Sequence, residues 1–140
     1  MNKLGNFPKL LRPILFVLAT ILMAGSVRAE WVQLGRTDTF RIYLDQKLIQ
    51  KDGDLAQVLQ LMDFTVAQWA DERTAVGSIK NLVEYDCGQP RSRTLSGEAF
   101  SEQMGAGRLV ASEKLVTPEW EEVASGGTAE QIRKLACGKK

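Results

Sequence analysis

Histidine is missing from all 140 residues, and only two cysteines are present. Without imidazole, neither a Ser-His-Asp nor a Cys-His catalytic site can be assembled, nor a zinc site that depends on His. Two thiolates alone do not complete a four-ligand zinc site. An excess of one charge sign is lacking too, with 18 Lys and Arg against 17 Asp and Glu and a net charge of +1. Nucleic-acid-binding domains carry a marked basic excess, so nucleic acid is not expected as a partner. The length fits one modest domain.

The N-terminal segment reads as a secretory signal peptide. Lys3, Lys9 and Arg12 form a positive region, and the run from Ile14 to Gly25 is almost wholly apolar. Val27-Arg28-Ala29 then presents small or compact residues where a signal peptidase reads, which places cleavage between Ala29 and Glu30. The apolar run is 12 residues long, short of the ~20 that span a bilayer. Residues 20–30 contain no Cys that could be lipidated. The expected layout is a signal peptide over 1–29 and one domain over 30–140. The product is periplasmic or secreted, has no lipid anchor, and keeps no stable membrane insertion. Four basic residues (Lys3, Lys9, Arg12, Arg28) leave with the signal, so the remaining 111 residues carry 14 basic and 17 acidic groups, a net charge of −3. In an oxidising compartment, an even pair of cysteines, Cys87 and Cys137, reads by default as one disulfide. Two free structural thiols would suit a cytosolic protein better.

Several stretches have strand character. Trp31 to Gly35 is short and half apolar. From Thr39 to Asp45, Phe40, Ile42 and Leu44 share one face and Arg41 and Tyr43 the other, the period-two signature of a half-buried strand. Asp52-Gly53 marks a turn. Residues 55–70 fit either a helical face or a strand, and strand neighbours favour a strand. Ile79, Val83, Tyr85 and Cys87 alternate with Lys80, Glu84 and Asp86, which turns Cys87 toward the core. Gly88-Gln89-Pro90 reads as a turn. Residues 91–104 alternate more weakly, with a bulge expected at Gly97, and Met104-Gly105-Ala106-Gly107 breaks the chain before Leu109-Val110-Ala111.

The C-terminal segment has helical period. Thr128-Ala129-Glu130-Gln131 matches a capping box, and Ala129, Ile132, Leu135 and Ala136 form an apolar stripe. Such a short helix is stable only when docked. If it stayed regular, Cys137 would point away from that stripe, so a fraying cap is expected to turn the thiol inward. Strands followed by one helix give an α+β fold: an antiparallel sheet of about six strands covered by a C-terminal helix.

The residues able to carry chemistry have ordinary readings. Glu84 and Asp86 share a strand face and could form an acid–base pair, yet a polar face is where solvated carboxylates belong. Asp52-Gly53-Asp54 lacks the ligand spacing of a calcium loop. Gly105-x-Gly107 opens no helix, as a phosphate loop would. Ser78, Ser96 and Ser101 have no basic partner. Arg91, Arg93 and Lys80 could form a basic patch for an acidic protein segment, or simply a solvated face. Trp31, Trp69 and Trp120 read as core and docking residues. No catalytic, cofactor-binding or metal-ligating residue is assigned, no cofactor is expected, and ligand-binding residues are left open.

The order of short motifs resembles the surface-adhesin protein E family of Gram-negative bacteria. They are Trp31-Val32-Gln33-Leu34-Gly35, Tyr43-Leu44-Asp45, Asp63-Phe64, Tyr85-Asp86-Cys87, Arg91-Ser92-Arg93, Met104-Gly105-Ala106-Gly107, Pro118-Glu119-Trp120 and a final helix ending in Cys137. The resemblance implies a sheet of about six strands whose concave face holds the helix through a Cys87–Cys137 disulfide. It resolves 55–66 as strand and allows a homodimer. It further implies a non-enzymatic, exported binding domain whose partner is a host extracellular-matrix or serum protein, such as vitronectin or laminin, or an envelope component. The alternative is a periplasmic structural or envelope-stress protein without a host ligand.

Overall fold

The computed structural model describes residues 29–138; of the expected signal segment over 1–29, residues 1–28 lie outside the described residues. Nine elements follow in order: β1 (Val32–Arg36), β2 (Phe40–Leu44), β3 (Gln50–Asp52), β4 (Leu55–Asp71), β5 (Thr74–Asp86), β6 (Arg91–Phe100), β7 (Leu109–Lys114), β8 (Glu121–Glu122) and α1 (Thr128–Gly138). They form an α+β fold, an antiparallel sheet in the order β1-β2-β4-β5-β6-β7 with β3 paired to β4 and β8 to β6. The Asp52-Gly53 signal is the tight turn of the β3–β4 hairpin, where Gly53 takes a positive φ of 56°.

Two-residue alternation on β2, β4 and β5 builds the core on the face that carries α1. Val58 lies opposite Val83, and Ala56 opposite Tyr85. The small Ala56 leaves room for the buried Tyr85 ring, and Leu44, Val123, Ile132 and Ala136 complete the same cluster. Burial pushes the Tyr85 phenol up, against a smaller lowering by Gln60, whose Nε2 donates to Tyr85 OH at 2.6 Å.

The helix docks on Ile132 and Ala136, both buried, which is worth roughly 3 kcal/mol of apolar burial. The stripe read from the sequence is rotated: Leu135 is 37 % exposed and Ala129 is exposed. α1 also stays helical through Cys137, so no fraying cap is needed. Cys137 follows Arg133 by one turn, and both sit beside the end of β5. Cys87 and Cys137 are joined as a disulfide, while Arg133 donates to the carbonyls of Asp86 and Cys87 at 2.7 and 2.9 Å. These three links set the helix rotation. At its start, Thr128 lies so close to Gly35 that a Cβ there would meet its hydroxyl at 2.7 Å. The reach-back acceptor is Glu130, which takes the Gly126 N–H at 2.7 Å.

The bulge expected at Gly97 lies next to it instead. Gly97 pairs regularly with Asn81, and the register shifts between Leu82 and Val83, opposite Ser96 and Thr94. Leu95 is therefore the extra residue.

Candidate binding surface

The face opposite α1 is where the polar side chains of β4, β5 and β6 gather. Glu84 and Asp86 do share this face, but neither is solvated: they are 6 % and 7 % exposed. Arg93 on the neighbouring strand donates its Nε to Glu84 at 2.8 Å, and Arg91 does the same to Asp86. Arg93 Nη2 donates to Glu84 as well, and Gln57 adds a third donor at 3.0 Å. The Arg91 hydrogen bond, with help from the Gly88 and Gln89 amides, holds the Asp86 carboxyl below the usual carboxylate range against the opposing effect of burial. Both guanidinium groups in turn lie over the Trp120 ring, 4.6 and 4.3 Å from its centroid. The expected basic patch is thus a neutralised lattice. It fastens the loop around Trp120 to the sheet, with β8 pairing to the start of β6. Lys80, the third member of the expected patch, lies apart, over the Phe100 ring at 4.6 Å.

Further along the same face, the Gly105-x-Gly107 segment folds back onto the sheet. Asp63, buried, accepts the Met104 N–H at 2.6 Å. Ser78, fully buried, donates to Glu102 O at 2.6 Å and accepts the Gly105 N–H at 2.8 Å. Ser78 is committed to structure. Met104, Gly105 and Gly107 all take positive φ, and Gly77 is needed because a Cβ there would overlap the Glu102 backbone. Gln103 Nε2 reaches Phe64 O at 2.7 Å. This loop braces the point where β4 and β5 leave the sheet.

Beyond that brace the two strands continue alone. The last β2 rung is Phe40–Phe64, followed by Thr65 N–H to Thr39 O at 2.9 Å. The last β6 rung is Phe100–Ser78. Residues 66–77 form an arm with no neighbouring strand on either side among the described residues. At its root, β4 carries 64–67 against only Gly77 on β5 between the pairs Asp63–Ser78 and Gln68–Val76, an irregularity larger than an ordinary two-against-one bulge. The arm presents Val66 at 72 % and Trp69 at 66 % exposure. Trp69 is therefore not a core residue, contrary to the expectation from its type. An open groove of about 480 Å³ lies at the root, lined by Thr65, Ala67, Gly77, Ser101, Glu102 and Gln103.

Among the described residues no group of three His, Cys, Asp or Glu stands close enough to hold a metal ion, and no helix is long and apolar enough to cross a membrane. Residues 31–138 match the family model of surface-adhesin protein E. The chain belongs to this family. Its fold is shared with Haemophilus influenzae protein E in crystal form II, at a TM-score of 0.63 and 14 % identity over 80 % of this chain and 90 % of that one. Protein E from non-typeable Haemophilus influenzae is similar at a TM-score of 0.59 and 13 % identity over 81 % and 79 %. No curated protein matches the chain. Family membership gives an adhesin-like role, and the arm is the feature of this surface that composition and alternation did not reveal.

Proposed function

We propose that this protein is an exported, non-enzymatic binding domain that takes a protein ligand, of the host matrix or serum class, on the β4–β5 arm and the groove at its root. The observation that carries this reading is the arm itself, with Trp69 and Val66 in solvent and its backbone edges open. Leaving large apolar side chains exposed forgoes about 1.5–3 kcal/mol each, which a covering partner recovers. Trp is enriched among residues that dominate binding energy, and an open strand edge can accept an added strand. Export is supported by the signal-like segment, and family membership supports adhesion. Binding of the mature protein to immobilised vitronectin and laminin, compared with Trp69→Ala and Val66→Ser, tests the proposal. Loss of about 2 kcal/mol at Trp69 corresponds to roughly thirtyfold weaker binding. Undiminished binding in both variants would remove the site from the arm.

The absence of a lipidatable Cys in residues 20–30 favours the second reading, a periplasmic envelope protein without a host ligand. Cell fractionation with surface protease treatment separates the two.

A further inference from the structure

Asp45, directly after β2, is 2 % exposed. Its Oδ1 accepts the Lys47 N–H at 2.9 Å and caps the turn over Gln46–Leu48. Its Oδ2 accepts from the main-chain nitrogen of Glu30 at 2.7 Å. Among the described residues no Lys or Arg forms an ion pair with Asp45; the nearby Lys47 ammonium pairs with the Glu30 side chain. A carboxylate taken this far out of water is costly unless a cation meets it; the two amides supply none, and the Lys47 ammonium, which Asp45 favours electrostatically as a minor contribution, is shared with the Glu30 side chain. Glu30, Val32, Asp45, Gln46 and Lys47 line one small hollow of about 200 Å³, and the chain leaves it at the exposed Ala29.

We propose that Asp45 is the receptor for the α-ammonium group released at Glu30 when a signal peptidase cuts the Ala29–Glu30 bond. The step is a hydrolysis: the C–N bond breaks, the water hydroxyl goes to the Ala29 carbonyl carbon, and its hydrogen goes to the Glu30 nitrogen. That amine then takes a second proton from solution, because an α-amino group titrates near pH 7.7–8.0. The nitrogen already stands at hydrogen-bond distance from Oδ2, so cleavage adds a positive charge without moving a heavy atom. A hydrogen bond charged on its acceptor side alone becomes an ammonium–carboxylate ion pair, charged on both sides. The signal pattern and the buried carboxylate are independent observations, and both single out residue 30. The mature chain is then locked at its first residue, with the Glu30 carboxylate held on Lys47 as a second link.

The test uses the full chain, exported with its own signal and purified from the periplasm. Mass analysis reads the N-terminus, and melting at pH 7 compares wild type with three variants: a Thr inserted between Ala29 and Glu30, Asp45→Asn, and both together. The insertion removes no side chain and has room at the exposed Ala29 position, so it shifts only the ammonium. The expected results are a mature N-terminus at Glu30, a melting temperature lowered by about 5 °C on insertion, and a combined variant no less stable than Asp45→Asn. A different N-terminus overturns the inference, as does an insertion that leaves the melting temperature unchanged, whether or not Asp45→Asn folds.

Discussion

Replacing both Cys87 and Cys137 by Ala removes the tether between β5 and α1 and leaves no free thiol. The bond closes a segment with a sequence separation of 50. Chain entropy for such a loop gives about 4 kcal/mol at 25 °C. The described domain has 110 residues, and unfolding entropies of globular proteins put its ΔS near 0.23 kcal/mol/K, so the melting temperature should fall by about 17 °C. The loss should also be uneven. What else fastens α1 is the burial of Ile132 and Ala136, the two Arg133 bonds to the Asp86 and Cys87 carbonyls, and Lys51 Nζ to Cys137 O at 3.0 Å. Burial contributes roughly 3 kcal/mol, comparable to the tether. Without the bond, α1 should open locally before the sheet does, which hydrogen exchange reads as faster amides over residues 131–138 with little change in β4 and β5. Calorimetry of the double variant supplies the first number and exchange the second. A fall of less than about 5 °C, or exchange rising evenly across sheet and helix, would refute the tether argument.

Asp86 gives a pH prediction. Its folded pKa is depressed, first by the Arg91 hydrogen bond, so its contribution is fully present above the ordinary Asp value near 3.9. That contribution is lost as pH falls through the folded value. Asp86→Asn should therefore flatten the decline of urea midpoints below about pH 4; an unchanged acid limb would contradict it. Trp120→Ala removes the ring beneath two guanidinium groups and should cost about 2 kcal/mol in urea unfolding, with the near-ultraviolet dichroism of Trp lost. Unaltered stability would mean that the 115–125 loop is held by other contacts. Gly77→Ala drives a methyl into the Glu102 backbone and should destabilise by roughly 1–3 kcal/mol. It should weaken ligand binding through the arm root as well, measured on the same immobilised proteins.

Local pattern carried the reading wherever one side of a segment meets a uniform environment. Phe40, Ile42 and Leu44 alternate cleanly because β2 turns Ile42 and Leu44 onto the core cluster. The Asp52-Gly53 turn and the Cys87–Cys137 pair were legible for similar reasons, since backbone sign and redox compartment are local or global properties. Glu84 and Asp86 were misread because alternation tells which residues share a face but not what covers it. Their cover is Arg91 and Arg93 across one strand and Trp120 some thirty-five residues onward, a partner that no period predicts. Trp69 was misread for the opposite reason: a ring is normally buried, and only the early end of β2 and of β6 leaves this one without a neighbour. The rotation of α1 away from Leu135 reflects the competition between a helical stripe and a covalent bond at Cys137, which the bond wins.

The strand order β1-β2-β4-β5-β6-β7 is the chain order, with only the β3 and β8 side pairings off its path. Each rung can close soon after its second strand has been made, so the sheet should assemble from successive hairpins. Residues 128–138 arrive last and find a finished surface. Before then Cys87 has no nearby thiol, so in this chain oxidation is a late event that reports a completed sheet rather than guiding its formation. Thiol trapping during refolding should show both cysteines still reduced when the strand dichroism is already full. A chain built this way confines the slow, oxidant-dependent step to its final turns of helix.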